Sequence, residues 1–297
     1  MTGAVRSGSD GRPRITVVTP SYNQAPFLEA CLRSVLDQRY PNLEYLVIDG
    51  GSTDGSVEII KSVEKDLAYW VSEPDAGHYD ALNKGFGRAT GDVLAWLNSD
   101  DMHTPWALAV VADIFQRLPR VQWLTTLYPL FWNEAGAATL CTQLPGFDRR
   151  AVLRRGKGVQ QESTFWRRGL WERAGGRLDP SFRLAGDLDL WARFWEHAEL
   201  YGVAVPLAGI RRHRGQRHVR QFDAYMAEAG VIAHRHGQRR ARRGRSPVGA
   251  KLRSLLVATT PRRLHPLLHG LGLCGRGPML EQRDREGTWT VRTVYFD

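Results

Sequence analysis

Cysteine is scarce in this 297-residue chain: Cys31, Cys141 and Cys274 are odd in number and far apart. They offer no disulfide framework and no zinc-ligand spacing, which fits a reducing compartment with all three as small buried side chains. Long apolar runs are missing too. Nothing approaches the roughly 18 apolar residues of a membrane span, and Met1 to Arg14 is polar and Gly/Ser-rich, without a signal-peptide core. The expected location is cytoplasmic, at most peripheral at the inner face of a membrane. No Gly-Lys-Ser/Thr phosphate loop occurs, so a P-loop nucleotidase lacks support.

The chain is 42% hydrophobic, enough for one large domain and an appendage. Its net charge of +10 is unevenly spread. Residues 1–210 carry 22 basic against 25 acidic side chains; residues 211–250 carry 11 arginines against Asp223 and Glu228; residues 251–297 carry 8 basic against 4 acidic. The body is therefore mildly acidic and the basic character belongs to the tail. The arginines from Arg235 to Arg245 lack interleaved aromatics, so specific nucleic-acid binding is not expected.

Apolar runs at Ile15–Thr19, Leu43–Ile48 and Asp92–Leu97 read as strands, each followed at once by polar residues. Helical spacing follows from Phe27 to Gln38, Val57 to Lys65, Leu108 to Leu118, Gly169 to Arg173 and Asp187 to His197. Val121–Leu130 reads as one or two strands, Val203–Ile210 as one late strand, and Thr288–Phe296 as a terminal strand. Strand–loop–helix alternation predicts a Rossmann-like α/β fold with a mostly parallel sheet, whose ligands collect at the carboxyl ends of the strands. The expected organisation is a disordered 1–13, a domain over 14–215 and a basic, mainly helical extension over 216–297.

Four constellations carry chemistry. Asn98-Ser99-Asp100-Asp101 sets adjacent carboxylates at a strand end, where a hard cation would offset their repulsion. Asp49-Gly50-Gly51-Ser52-Thr53-Asp54-Gly55-Ser56 is not G-x-G-x-x-G, but its glycines and hydroxyls suit close approach to a phosphate or sugar. Asp187-Leu188-Asp189 opens a helix, with one carboxylate able to face a site while the other stays solvated, and Gly186 before it leaves room for a substrate. Arg211-Arg212-His213-Arg214 offers cations for a diphosphate and an imidazole for a metal. Each also has an ordinary structural explanation as a turn, a helix start or a solvated basic run.

Taken in order, "ITVVTPSYNQAPFLEACLRSVLDQRYPNLEYLVIDGGSTDGS", "SEPDAGHYDALNKGFGRATGDVLAWLNSDD" and "QQESTFWRRGLWERAGGRLDPSFRLAGDLDLWARF" resemble the family-2 glycosyltransferases of GT-A fold. The resemblance spans about Arg14 to His213. It implies that Thr19, Pro20, Ser21 and Tyr22 line a nucleotide pocket, that Asp49 accepts a hydrogen bond from the base, and that Gly51, Ser52 and Asp54 shape the adjoining loop. Asp80, Asn83 and Lys84 would lie near the ribose and diphosphate, and Asn98 and Ser99 on the donor side. Asp100 would bind Mn²⁺ or Mg²⁺, with Asp101 beside it and His213 closing over the diphosphate or metal along with Arg211. Asn98 stands where the family often has aspartate, and Gly186 where it often has an acid.

By the same resemblance, Asp187 is the general base of an inverting transfer from a nucleotide sugar, UDP by default, to a glycan or lipid-linked acceptor in polysaccharide assembly. Gln160, Gln161 and Glu162 would lie on the acceptor side. Trp166, Trp171, Trp191 and Trp195 offer stacking faces but suit core packing better. The tail would be a membrane-surface element, an oligomerisation or docking element, or a solvated appendage. The competing functions are a nucleotidyltransferase, which "TPSYNQAPF" disfavours for want of a basic residue; a degenerate nucleotide-binding scaffold without activity; and a nucleic-acid binder resting on the tail alone.

Overall fold

A computed structural model describes residues 11–156, 158–216, 221–237, 255–257, 259–282 and 287–296. The amino-terminal half alternates strand and helix: β1 (Ile15–Ser21), α1 (Ala25–Leu36), β2 (Leu43–Asp49), α2 (Ser56–Ser62), β3 (Tyr69–Ser72), α3 (His78–Arg88), β4 (Val93–Trp96), β5 (Met102–His103), α4 (Ala107–Arg117) and β6 (Trp123–Thr126). Then come β7 (Leu130–Trp132), β8 (Ala138–Cys141), α5 (Arg149–Arg155), β9 (Phe165–Arg167), α6 (Arg168–Arg173), α7 (Gly186–Phe194), β10 (Tyr201–Val203) and β11 (Ala208–Arg211). The described remainder forms α8 (Phe222–Arg235), α9 (His265–Gly270), β12 (Gly275–Gln282) and β13 (Trp289–Phe296).

One nine-stranded sheet runs β13-β12-β10-β6-β9-β4-β1-β2-β3. β1 pairs in parallel with β2 and β4, and β2 with β3, while β9 is antiparallel to both its neighbours. Every residue of β1 and β4 is buried, because helices cover both faces; such strands read as unbroken apolar runs rather than alternating ones. One layer packs Leu28, Leu32 and Val35 of α1 with Leu108, Val111 and Ile114 of α4. The other packs Leu82 and Phe86 of α3 with Trp166, Trp171, Trp191 and Phe194. Trp96 stacks on Trp191 with centroids 5.6 Å apart. Three of the four tryptophans expected as core are buried, and Trp195 packs half-buried against the same cluster.

A second sheet, β5-β11-β7-β8, is small but decisive. It sets β5, which directly follows Asp101, antiparallel to β11, which ends at Arg211. Two segments 110 residues apart in sequence are thereby clamped side by side.

Several expectations need correction. The late strand is two strands in different sheets, because Pro206 has no amide for a ladder and the chain turns there. The carbonyl of Pro206 instead accepts from Trp106 Nε1 at 2.8 Å. The boundary at residue 215 does not divide the sheet: β12 lies parallel to β10 and β13 follows it antiparallel. α8 shares a core with α5 and α7 through Val152, Leu188, Ala192, Ala229 and Ile232. The order of residues 1–10 lies outside the described residues, whereas Pro13 is buried with its carbonyl accepting from Tyr40 Oη at 2.6 Å. Cys141 is exposed, unlike Cys31 and Cys274. Among the described residues, no helix is long and apolar enough to cross a membrane.

Candidate active site

Strand register brings three polar loops to one edge. Ser21 lies opposite Asp49 and Asp49 opposite Ser72, while β4 runs beside β1 with Trp96 against Val18. On the first wall, Thr19, Pro20 and Ser21 are buried and Thr19 Oγ1 bonds Tyr45 Oη at 2.9 Å. The Tyr22 ring, 62% exposed, stands at the lip.

Asp49 does not present a free carboxylate to a base. It is fully buried and accepts from Gly51 N at 3.1 Å, Ser52 N at 2.8 Å, Ser52 Oγ at 2.6 Å and Ser72 Oγ at 2.7 Å. It shapes the turn, in which Gly51 has φ of +81°. Asp54 accepts from Ala25 N and from Ser56 N and Oγ, tying the starts of α1 and α2 together. A residue not singled out in the sequence shares this wall: a Cβ at Gly50 would lie 2.8 Å from Asp75 Oδ2 and 3.3 Å from the Tyr22 ring.

α3 contributes less to a ligand than expected. Asn83 accepts from Leu178 N at 2.8 Å and donates to Leu178 O at 3.0 Å, so both ends of its amide hold a loop. Lys84 pairs with Glu73 at 3.0 Å and lies 3.6 Å from Asp80, which also accepts from Ala76 N.

The two carboxylates after β4 diverge. Asp101 turns inward, accepting from Arg211 N at 3.0 Å and Asn98 Nδ2 at 3.3 Å; burial, with Asp100 and Glu162 nearby, raises its pKa well above the carboxylate range. Asp100 turns toward His213, whose Nε2 is 3.0 Å from Oδ2. Gly215 N donates to His213 Nδ1, so in the neutral ring Nε2 carries the proton and donates to Asp100. Arg211 is buried too deeply to meet a diphosphate: its Nε donates to Asp100 O at 2.9 Å and its Nη1 to Glu134 O at 2.7 Å. It braces the carboxylate turn. Arg212 is exposed, with its guanidinium 4.1 Å from the Phe131 ring, and lines an open groove with His213, Arg214 and Gln216.

Among the described residues, no three His, Cys, Asp or Glu side chains converge as a metal cage. Asp100 and His213 would fit a shared ion once Nε2 gave up the proton it donates to Asp100, which puts the ring proton on Nδ1 and releases Gly215 N. Their 3.0 Å separation is that of two adjacent ligands about 2.1 Å from one cation. Such an ion would need further oxygens, which a diphosphate carries.

Asp187 lies in the first turn of α7, half-buried, with Leu188 N on its Oδ1 at 2.8 Å. Burial pushes its pKa up to about 6, the Leu188 amide opposing and the Glu228 charge assisting. Gly186 leaves no room for a substrate. A Cβ there would lie 2.7 Å from the Tyr79 ring, whose hydroxyl accepts from Gly186 N at 2.8 Å. Asp189 is not solvated but buried in a network with Arg193 at 2.9 Å and Arg235 at 3.3 Å.

Glu228 of α8, unmarked in the sequence, accepts from Arg183 N at 3.0 Å, Leu184 N at 2.9 Å and Ala185 N at 2.8 Å. It therefore holds the loop that delivers Asp187. Glu162 feels both carboxylates: burial raises its pKa, and the charges of Asp187 and Asp100 add to that. On its 3-10 turn (Gln161–Ser163), Gln161 Oε1, Glu162 Oε1 and Ser163 Oγ are buried without a protein partner. That is a polar wall suited to hydroxyls.

The chain is similar in sequence and fold to known proteins. The profile of glycosyl transferase family 2 matches residues 16–164. An uncharacterized glycosyltransferase of Mycobacterium tuberculosis is 33% identical over 183 residues, 61% of this chain and 68% of the relative. Glycosyltransferase AglE of Haloferax volcanii is 35% identical over 108 residues, 34% of this chain and 36% of that protein. Among solved structures, S. aureus TarS 1–349 in complex with UDP-GlcNAc has a TM-score of 0.57 at 15% identity, covering 74% of this chain and 66% of that one. Mannosyltransferase PcManGT of Pyrobaculum calidifontis, in complex with GDP-Man and Mn²⁺, has a TM-score of 0.54 at 21% identity, covering 88% and 80%. Both share the fold.

Proposed function

This chain belongs to glycosyl transferase family 2 and is a glycosyltransferase, and from that premise we propose that it performs an inverting, metal-assisted transfer from a nucleoside diphosphate sugar to a hydroxyl of a glycan or lipid-linked acceptor. The observation that carries this is that two groups bear on Glu162: Asp100, paired with His213, and a half-buried carboxylate with raised pKa, Asp187.

The diphosphate is the leaving group, and Mn²⁺ or Mg²⁺ held by Asp100 and His213 would neutralise charge developing on it. Tyr22 and Asp75 border the space for the base. Asn98 Oδ1, buried and without a protein partner, faces no competitor for a ribose or sugar hydroxyl. Asp187 removes the proton of the acceptor hydroxyl while that oxygen attacks the anomeric carbon opposite the diphosphate. One base and one displacement invert the anomeric centre, so an α-linked donor gives a β-linkage. UDP-sugar is the default donor; GDP and dTDP sugars are the alternatives in the same experiment.

Calorimetric titration with UDP, GDP and dTDP, with Mn²⁺ or Mg²⁺ and again with EDTA, tests the donor site. One diphosphate should bind in a metal-dependent manner, and Asp100→Ala should weaken it about 10–100-fold. Binding of none of them with metal present would return the chain to an inactive scaffold.

The rate of transfer should fall about tenfold per pH unit below pH about 6, because Asp187 serves as a base only when ionised. The sign separates this from acid unfolding. A carboxyl whose pKa is raised by folding disfavours the folded state when ionised, so protonating Asp187 does not itself weaken the fold. Rate and circular dichroism should therefore part company on acidification. A rate flat down to pH about 4 would remove Asp187 from the base role.

A further inference from the structure

Between residues 229 and 280 the sequence holds 11 lysine and arginine residues and no aspartate or glutamate. The described part of that stretch also turns leucine outward. Leu255 is 59% exposed, Leu267 63% and Leu271 73%, with Leu256 and Leu264 exposed beside them. Leu264, Leu267 and Leu271 are spaced three and four apart across α9, one stripe of a helix, and α9 buries none of its residues. His265 Nε2 lies 3.1 Å from Val257 O and 3.0 Å from Thr260 O, holding α9 to the helical turn that carries Leu255 and Leu256. Arg263 and Arg276 are exposed nearby.

Leucines held in water need a cover, and this one must be both apolar and anionic. A second copy would bring like charge against like. A nucleic acid would leave the leucines in water, and residues 255–280 contain no phenylalanine, tyrosine or tryptophan to stack on a base. The interface of an acidic bilayer supplies both requirements at once: acyl chains for the leucines and phosphates for the arginines. We propose that the leucine stripe of α9, with the turn before it and the surrounding arginines, docks on an anionic lipid bilayer. The surface is separate from the transfer chemistry, and its test needs no donor sugar.

The full chain is sedimented with vesicles of phosphatidylcholine alone or of phosphatidylcholine with phosphatidylglycerol. Binding to the mixed vesicles should be at least about tenfold stronger, and should drop when salt rises from about 0.15 M to about 1 M and shortens screening from about 8 Å to about 3 Å. The triple variant Leu264→Ser, Leu267→Ser, Leu271→Ser should lose at least about tenfold in binding with an unchanged thermal melt, since these side chains are exposed. The pair Arg263→Ser, Arg276→Ser should lessen the preference for acidic vesicles. Failure to sediment with the mixed vesicles overturns the proposal. So does undiminished binding of the leucine variant, or a dimer in light scattering that this variant dissociates.

Discussion

Asp187→Asn should lower transfer by about 10²–10⁴-fold with diphosphate affinity and thermal stability near those of the unsubstituted chain. Asparagine keeps the shape and the hydrogen bond from Leu188 N, so the start of α7 is undisturbed. What it loses is the basic oxygen. The raised pKa matters here, because a carboxylate near 6 is a better proton acceptor than one near 4 and is still ionised at neutral pH. The removed charge sits in a buried setting, so the variant should melt no lower than the native chain. If Asp187→Asn keeps more than about a tenth of the rate, another group takes the proton, and Glu162, a buried carboxyl on which the Asp187 charge acts, is the candidate.

The second large effect is expected from a residue that touches no substrate. Glu228→Ala removes one side chain and orphans three amides, those of Arg183, Leu184 and Ala185. Hydrogen bonds to a charged acceptor are the strong class, and losing these should cost about 2–4 kcal/mol of stability. The loop they hold leads directly into Gly186 and Asp187, so transfer should fall by at least about tenfold as the base loses its place. Glu228→Gln separates position from packing. It keeps one acceptor oxygen and much of the loop, but removes the charge that helps raise Asp187. The acid limb of its rate profile should therefore move to lower pH. A merely structural Glu228 would lower the melting temperature and leave that limb in place.

The sequence revealed backbone order more readily than the use of individual lone pairs. β1, β2 and β4 were legible because strands buried on both faces are plain apolar runs, and the polar residues after them mark the strand ends. The small sheet was not legible, since β5 has two residues and β11 four, too short for any periodicity. The motif residues split for a similar reason. Asp100 and His213 meet at 3.0 Å, and Asp187 and Asp100 both bear on Glu162, whereas Asp49, Asn83 and Arg211 direct their polar atoms to neighbouring backbone or hydroxyls. A motif lists which side chains stand near a pocket; it does not say which way each one points. Asp101 differs from Asp100 by one position and faces the opposite way. Glu228 carried no signal at all, because its partners lie 43 to 45 residues earlier in the chain and are backbone amides, invisible in any residue pattern.

The place of β12 beside β10 has a consequence for how the chain can be handled. β10 has only three residues and would be the rim of the sheet without it. A fragment cut after β11 would leave the amides and carbonyls of β10 open on that side, the pattern through which strands recruit strangers and aggregate. It would also lack Glu228. The closing hairpin therefore acts as a guard strip for the sheet, and ending the protein after β11 trades a compact sequence for a sticky edge and an unmoored Asp187.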